Sequence, residues 1–159
     1  MTRSWWLCVV VSLLFAVMPS MVFAQAQQTT ESYDRASRGT RILEGGSGFS
    51  IKVLVERSVL GGTEVEVGEI TFPPGSGASG RGHVHQKVEI FYVLSGELDH
   101  IVNGESHLLT PGMVGIVRPG DEVVHHVPGD EPVKAIVIWA PGGELDRIAP
   151  NLRERSVND

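Results

Sequence analysis

The stretch Gly77–Gly96, GASGRGHVHQKVEIFYVLSG, decides the fold. It opens in a glycine-rich loop, passes His83, His85 and Glu89, climbs an apolar run from Ile90 to Leu94, and stops at Ser95-Gly96. β-Branched and aromatic residues closed by a turn signal read as a β-strand. Strand side chains alternate faces with period 2. His83, His85 and Glu89 are all odd-numbered, so they share one face if the strand already runs through Gln86-Lys87-Val88. Two imidazoles and a carboxylate converging from one strand supply most of a metal site. A bare His-x-His in a polar loop is more often a solvated surface pair. Glu89 at matching parity, and a second pair at His125-His126, turn the reading towards metal.

On either side of this stretch the chain repeats the same pattern. Phe49–Val55 alternates as a first strand, Gly61-Gly62 makes a hairpin-type turn, and Thr63–Phe72 alternates again. Its phase slips near Gly68, where a β-bulge is expected. Further strands are expected at Glu97–Val102, His107–Leu109, Val114–Val117, Val123–Val127 and Val133–Trp139. Turns at Asn103-Gly104, Pro111-Gly112 and Pro119-Gly120 separate them, and Pro141-Gly142-Gly143 closes the series. Short strands with turn signals about every ten residues predict an all-β sandwich or barrel. Residues 25–45 are polar and aperiodic and read as a flexible leader, so the barrel is expected over 46–143. The charged tail, 144–159, is expected to form a short helix or to fray.

The first residues carry Arg3, an apolar run from Trp5 to Val17, and Val22-Phe23-Ala24. That is the pattern of a secretory signal peptide cleaved after Ala24. The run is short for a membrane span of about 20 apolar residues, which leaves an uncleaved anchor as the alternative. Export implies a periplasmic or secreted protein with no stable membrane anchor after cleavage. The one cysteine, Cys8, leaves with the signal, so the mature chain has neither disulfides nor thiol chemistry. Losing 24 of 159 residues leaves 135, enough for one domain with a core. Arg3 goes too, so 12 basic residues face 19 acidic ones, a net charge of −7. An acidic chain without a basic cluster argues against nucleic acid as a partner.

These residues resemble the cupin superfamily, small barrels of the jelly-roll type. The first cupin motif, G-x5-H-x-H-x3-4-E-x6-G, is matched at each fixed position by Gly77, His83, His85, Glu89 and Gly96. The second, G-x5-P-x-G-x2-H-x3-N, fits less well. Gly112 and Gly120 have the right separation, but Arg118 replaces the first proline. The histidine comes two residues late if it is His125 and three if it is His126, and the asparagine is absent. Parity separates the two candidates. Val123, His125 and Val127 make an apolar inward set, whereas Glu122, Val124, His126 and Pro128 are mixed, so His125 is assigned inward.

The expected ligands are therefore His83, His85, Glu89 and His125. Three neutral imidazoles and a carboxylate, with no thiolate, do not make a cysteine-type structural zinc site. They suit a divalent transition metal, among Fe, Mn, Ni, Co, Cu and Zn. The resemblance implies metal-dependent chemistry on a small organic molecule: dioxygenase-like oxidation first, with decarboxylation, isomerisation or elimination as alternatives. A secreted module that binds a metal or small ligand without turnover is the reading from another class. Phe91 and Val93 share the ligand parity and are expected to line the cavity or fill the core. Arg81 and Arg118 are loop cations that could hold a substrate carboxylate. Lys87, Gln86, His100 and His107 read as surface residues, and Tyr92 as outward-facing. Open sheet edges are a liability in a small barrel, so a homodimer is expected.

Overall fold

The alternating segments do become strands, and the burial pattern shows why. In Glu66–Phe72 every second residue is buried, and in Val133–Ala140 the buried set is Val133, Ala135, Val137 and Trp139. The computed structural model describes residues 33, 34 and 36–158. The segment read as a signal peptide, and residues 25–32 and 35 of the leader, lie outside the described residues.

Eleven strands are found among the described residues: β1 Arg41–Glu44, β2 Ser50–Val55, β3 Glu66–Phe72, β4 His83–Val84, β5 Val88–Ser95, β6 Leu98–Val102, β7 Glu105–Leu109, β8 Val114–Val117, β9 Glu122–His126, β10 Val133–Ala140 and β11 Arg153–Ser156. They form two antiparallel sheets. One has seven strands in the order β11-β1-β2-β3-β10-β5-β8, and the other has four in the order β4-β9-β6-β7. Ile51, Val53, Ile70, Phe72, Phe91 and Val137 from the first sheet share one core with Leu98, Leu109 and Val127 from or beside the second. This is the all-β architecture expected from the turn spacing, in the jelly-roll form that the resemblance implied.

Three expectations change. The strand carrying the motif is not continuous. β4 ends at Val84, residues 85–87 are irregular, and β5 starts at Val88. The break lets the chain cross between sheets: β4 pairs with β9 in the four-stranded sheet, and β5 with β10 and β8 in the seven-stranded one. The irregularity expected near Gly68 lies instead in its partner β2, between Val53 and Val55, with Val53 opposite Gly68. A Cβ on Gly68 would come within 2.9 Å of Ile51, so the glycine lets β2 pack close.

The third change is at the two ends. The leader read as flexible contains β1, and the tail read as a helix or frayed end is integral. A four-residue helix, α1 (Arg57–Leu60), precedes the Gly61-Gly62 turn. After β10 the chain forms α2 (Glu144–Ile148) and then β11, which pairs with β1. Arg41, Arg153 and Arg155 bond to glutamates across these outer strands. The domain therefore begins at or before Arg41 and runs to Ser156, because Leu145 of α2 is fully buried in the core. Truncating it leaves a cavity that packed neighbours fill only in part. Leu145→Ala is expected to lose about 2–5 kcal/mol of unfolding free energy, measured by urea titration. A loss below about 1 kcal/mol would show that α2 is peripheral.

Candidate metal centre

The break between β4 and β5 places His83 on one sheet and Glu89 on the other, with His85 between them. β9 brings in His125 from beside β4, and His83 lies opposite Val123. Gly77, the first glycine of the motif, has φ +70°, and a Cβ there would stand 2.4 Å from the carbonyl oxygen of His125. Only glycine lets this loop close on the strand that carries the fourth histidine. Gly96 has φ +80° and a similar constraint against the carbonyl oxygen of Pro132, which turns β5 into β6.

His85 and Glu89 are each 2% exposed and His125 is 8% exposed. His85 Nε2 lies 3.3 Å from Glu89 Oε2, and His125 Nε2 lies 3.4 Å from Glu89 Oε1. Neither is a hydrogen bond: both Nε2 atoms and Oε1 of Glu89 are buried with no hydrogen-bond partner. Donors bound at about 2.1 Å to one ion lie about 3.0–3.4 Å from one another, for right-angle and tetrahedral arrangements respectively. The observed spacings match that range. Buried polar atoms are nearly always satisfied, and three orphans facing one another are a donor set that suits a shared cation. His83 completes the group from the mouth, its ring centroid 4.6 Å from that of His85 and 5.4 Å from that of His125. His83 is exposed, and among the described residues no three or more of the His, Cys, Asp and Glu side chains are already arranged as a metal-holding group.

Two of the atoms that face away from this point are held, Glu89 Oε2 and His85 Nδ1. Trp139 lies opposite Glu89 in the β10–β5 register and donates Nε1–H to Glu89 Oε2 at 2.6 Å. His85 Nδ1 lies 2.9 Å from Glu144 Oε1 at the start of α2. With Nδ1–H donated to that carboxylate, the lone pair of His85 is on Nε2, facing Glu89. Arg147 donates to the same Glu144 oxygen through Nε at 2.8 Å and through Nη2. The N–H groups of Glu144 and Leu145 donate to Glu66 Oε2 at 2.9 and 3.0 Å, and Lys87 Nζ donates to the Gly142 carbonyl at 3.0 Å. Lys87 is thus a tie to the turn before α2 rather than a solvated lysine.

Burial opposes ionisation of Glu89, but His125, His85 and the Trp139 N–H outweigh it and hold its pKa below the usual carboxylate range. Glu144 behaves alike: burial works against it, and hydrogen bonds from His85 and Arg147 bring it down to about 2. Partial burial, then the neighbouring His125 and His85, push His83 down to about 4. At neutral pH the group therefore offers anionic carboxylate and a neutral His83, the forms that bind cations.

The other histidines divide differently from expectation. His126 is half-exposed and faces Asp99 at 3.5 Å, pointing away from the cluster as parity required. His100 is not a surface residue but 1% exposed, its ring 5.4 Å from that of His125 and tilted 31° to it. Burial and His125 push its pKa down to about 4. Its phase could have been read from Leu98, two residues earlier and fully buried. A cavity of about 240 Å³ lies over the four donors, with Phe49, Phe72, Phe91, Trp139 and Ile148 among its walls. A larger, more open one of about 610 Å³ lies by the free edges of β7 and β8, and His107 and Arg118 line that one. Arg81 is exposed on the loop before β4. Neither expected loop cation lines the smaller cavity; Arg147 does.

Comparison with known proteins agrees with this architecture. Residues 68–139 match the cupin domain model, a span that includes all four donors. The chain has the cupin fold. An RmlC-like cupin from Shewanella frigidimarina is similar at 24% identity and a TM-score of 0.56, covering 69% of this chain and 89% of that one. A predicted oxalate decarboxylase from Thermotoga maritima (18% identity, TM-score 0.55) covers 67% of this chain and 96% of its own. KdgF from a Halomonas species (17%, 0.54) covers 67% and 92%. No curated protein matches the chain. Against the cupin pattern, His125 sits two residues beyond the usual histidine position, which Val123 occupies, yet one full strand repeat keeps it facing inward.

The Glu144 contact generates a direct expectation. Outer carboxylates that orient a ligating histidine contribute about 10–100-fold to metal affinity. Glu144→Gln should weaken binding of Zn²⁺ by about tenfold or more, measured by competition with a chromophoric chelator. Unchanged affinity would make the contact purely structural.

Proposed function

We propose that the protein is an exported, metal-dependent cupin that acts on a small organic molecule, with a divalent transition metal held by His83, His85, Glu89 and His125. The observation that supports this best is the set of buried, partnerless donor atoms on His85, Glu89 and His125. A mixed nitrogen and oxygen set admits Fe, Mn, Ni, Cu or Zn, and affinity alone does not select among them. When bound, the ion supplies Lewis-acid polarisation and a template for orienting a substrate.

The residues of the chain supply the rest. Trp139 and Glu144 fix the orientation of Glu89 and His85. Phe49, Phe72, Phe91 and Ile148 keep the cavity apolar, which excludes water and strengthens every charge interaction inside it. Dioxygenase-like chemistry is the favoured reaction class. The names of the similar structures, an oxalate decarboxylase and KdgF among them, belong to those proteins and do not choose the substrate here.

A second reading, binding without turnover, is favoured by a separate observation. Apart from the four donors, Arg147 is the only titratable residue among the described ones lining the cavity. A guanidinium cannot serve as a base, so acid–base work would fall to the ligands themselves.

The test is a screen of small organic molecules with the metal-loaded mature protein, under air and under argon. Oxygen uptake matching substrate loss, and absent in His85→Ala, is the expected result. Turnover that argon leaves unchanged would move the assignment to a lyase or isomerase. No turnover with any compound would favour the binding module.

A further inference from the structure

We propose that Arg147 anchors the carboxylate of a small, mainly apolar organic acid at the barrel cavity. The inference rests on the preceding reading of this cavity as the substrate site and names the substrate class. Arg147 lines the cavity together with His83, His85, Glu89 and His125, and it is the only Lys or Arg among the described residues that does so. Its field reaches the site, since it helps to lower the pKa of His83 and its own pKa is raised in part by Glu89.

The guanidinium is also held in place. Nε and one Nη2 N–H are committed to Glu144 Oε1, which in turn holds His85. Of the five N–H donors of an arginine, the Nη1 pair has no partner among the described residues. A pre-positioned fork with spare donors is the form in which arginine recognises carboxylates. Arg147 sits half-exposed on α2, the element that closes the cavity side of the barrel, where a ligand entering from solvent would meet it.

Charge and volume point the same way. Arg147 places a permanent positive charge on the cavity wall, and a ligand carboxylate is its natural counterpart. The rest of the lining is aromatic or aliphatic, from Phe49 to Ile148, and offers a polar body nothing to bond. At about 240 Å³ the cavity is below the ~300–1,000 Å³ that takes drug-sized ligands. A small apolar acid satisfies all three constraints, whereas a neutral sugar lacks both the charge and the apolar body.

The test uses benzoate and its neutral isostere benzamide as probes, titrated by calorimetry into the zinc-loaded full mature protein and into Arg147→Gln and Arg147→Lys. Zinc content is measured on each sample. Losing a charge-assisted hydrogen bond should weaken benzoate by about tenfold or more in R147Q. R147K, which keeps the charge but not the fork, should lose less. Benzamide should change by less than about twofold in both. A merely structural Arg147 would weaken the two probes equally or neither, and either outcome overturns the proposal. So does a wild-type protein that does not prefer benzoate. If R147Q loses thermal stability, R147K carries the comparison. Failure of every sample to take up zinc would instead refute the metal reading, while the benzoate difference between wild type and variants would still decide the role of Arg147.

Discussion

A buried carboxylate organises this barrel. Glu89 is ionised inside the core, where the effective penalty for an unpaired charge is several kcal/mol. One oxygen is held by the Trp139 indole, and the other faces His125 without a hydrogen bond. The two strands that pair Glu89 with Trp139, β5 and β10, are both internal strands of the seven-stranded sheet. The charge is therefore fixed by an internal strand pairing and left half-satisfied by it. A cation shared with two imidazoles, as proposed, would remove that deficit.

The C-terminal segment extends the same logic outward. Glu66 collects the first N–H groups of α2, Leu145 anchors the helix in the core, and Glu144 and Arg147 are delivered to the cavity as a pair. His85 thereby receives a fixed tautomer from an element about 60 residues away in sequence, Glu144 lying 59 positions beyond it. The barrel that cupin motifs describe would supply ligands alone. In this chain the segment after β10 orients one of them and brings a cation to the cavity wall.

Much of this was legible beforehand, for physical reasons that differ from residue to residue. The all-β class followed from alternation and turn chemistry, which are local. The inward assignment of His125 over His126 followed from parity within one unbroken strand, β9. His83, His85 and Glu89 lie near one another, but not along one strand face: residues 85–87 are not strand and the chain changes sheets there. Convergence comes from two facing sheets rather than one strand face. β1 was hidden because four residues with a single buried side chain, Leu43, carry no periodicity. A short helix was one of the two expectations for the tail, and α2 is that helix; its bounds were not legible because five residues are barely one turn. The hydrogen bonds of Glu144 and Arg147 are tertiary, and nothing in local pattern announces them.

The most direct measurement is a crystal structure of the purified mature protein, with anomalous data collected across the absorption edges of the first-row metals. The account predicts one strong anomalous peak at about 2.0–2.2 Å from Nε2 of His85, Nε2 of His125 and Oε1 of Glu89, with His83 turned onto it. A cluster that stays metal-free after incubation with these metals, with its orphan atoms satisfied by water or by one another, would contradict it.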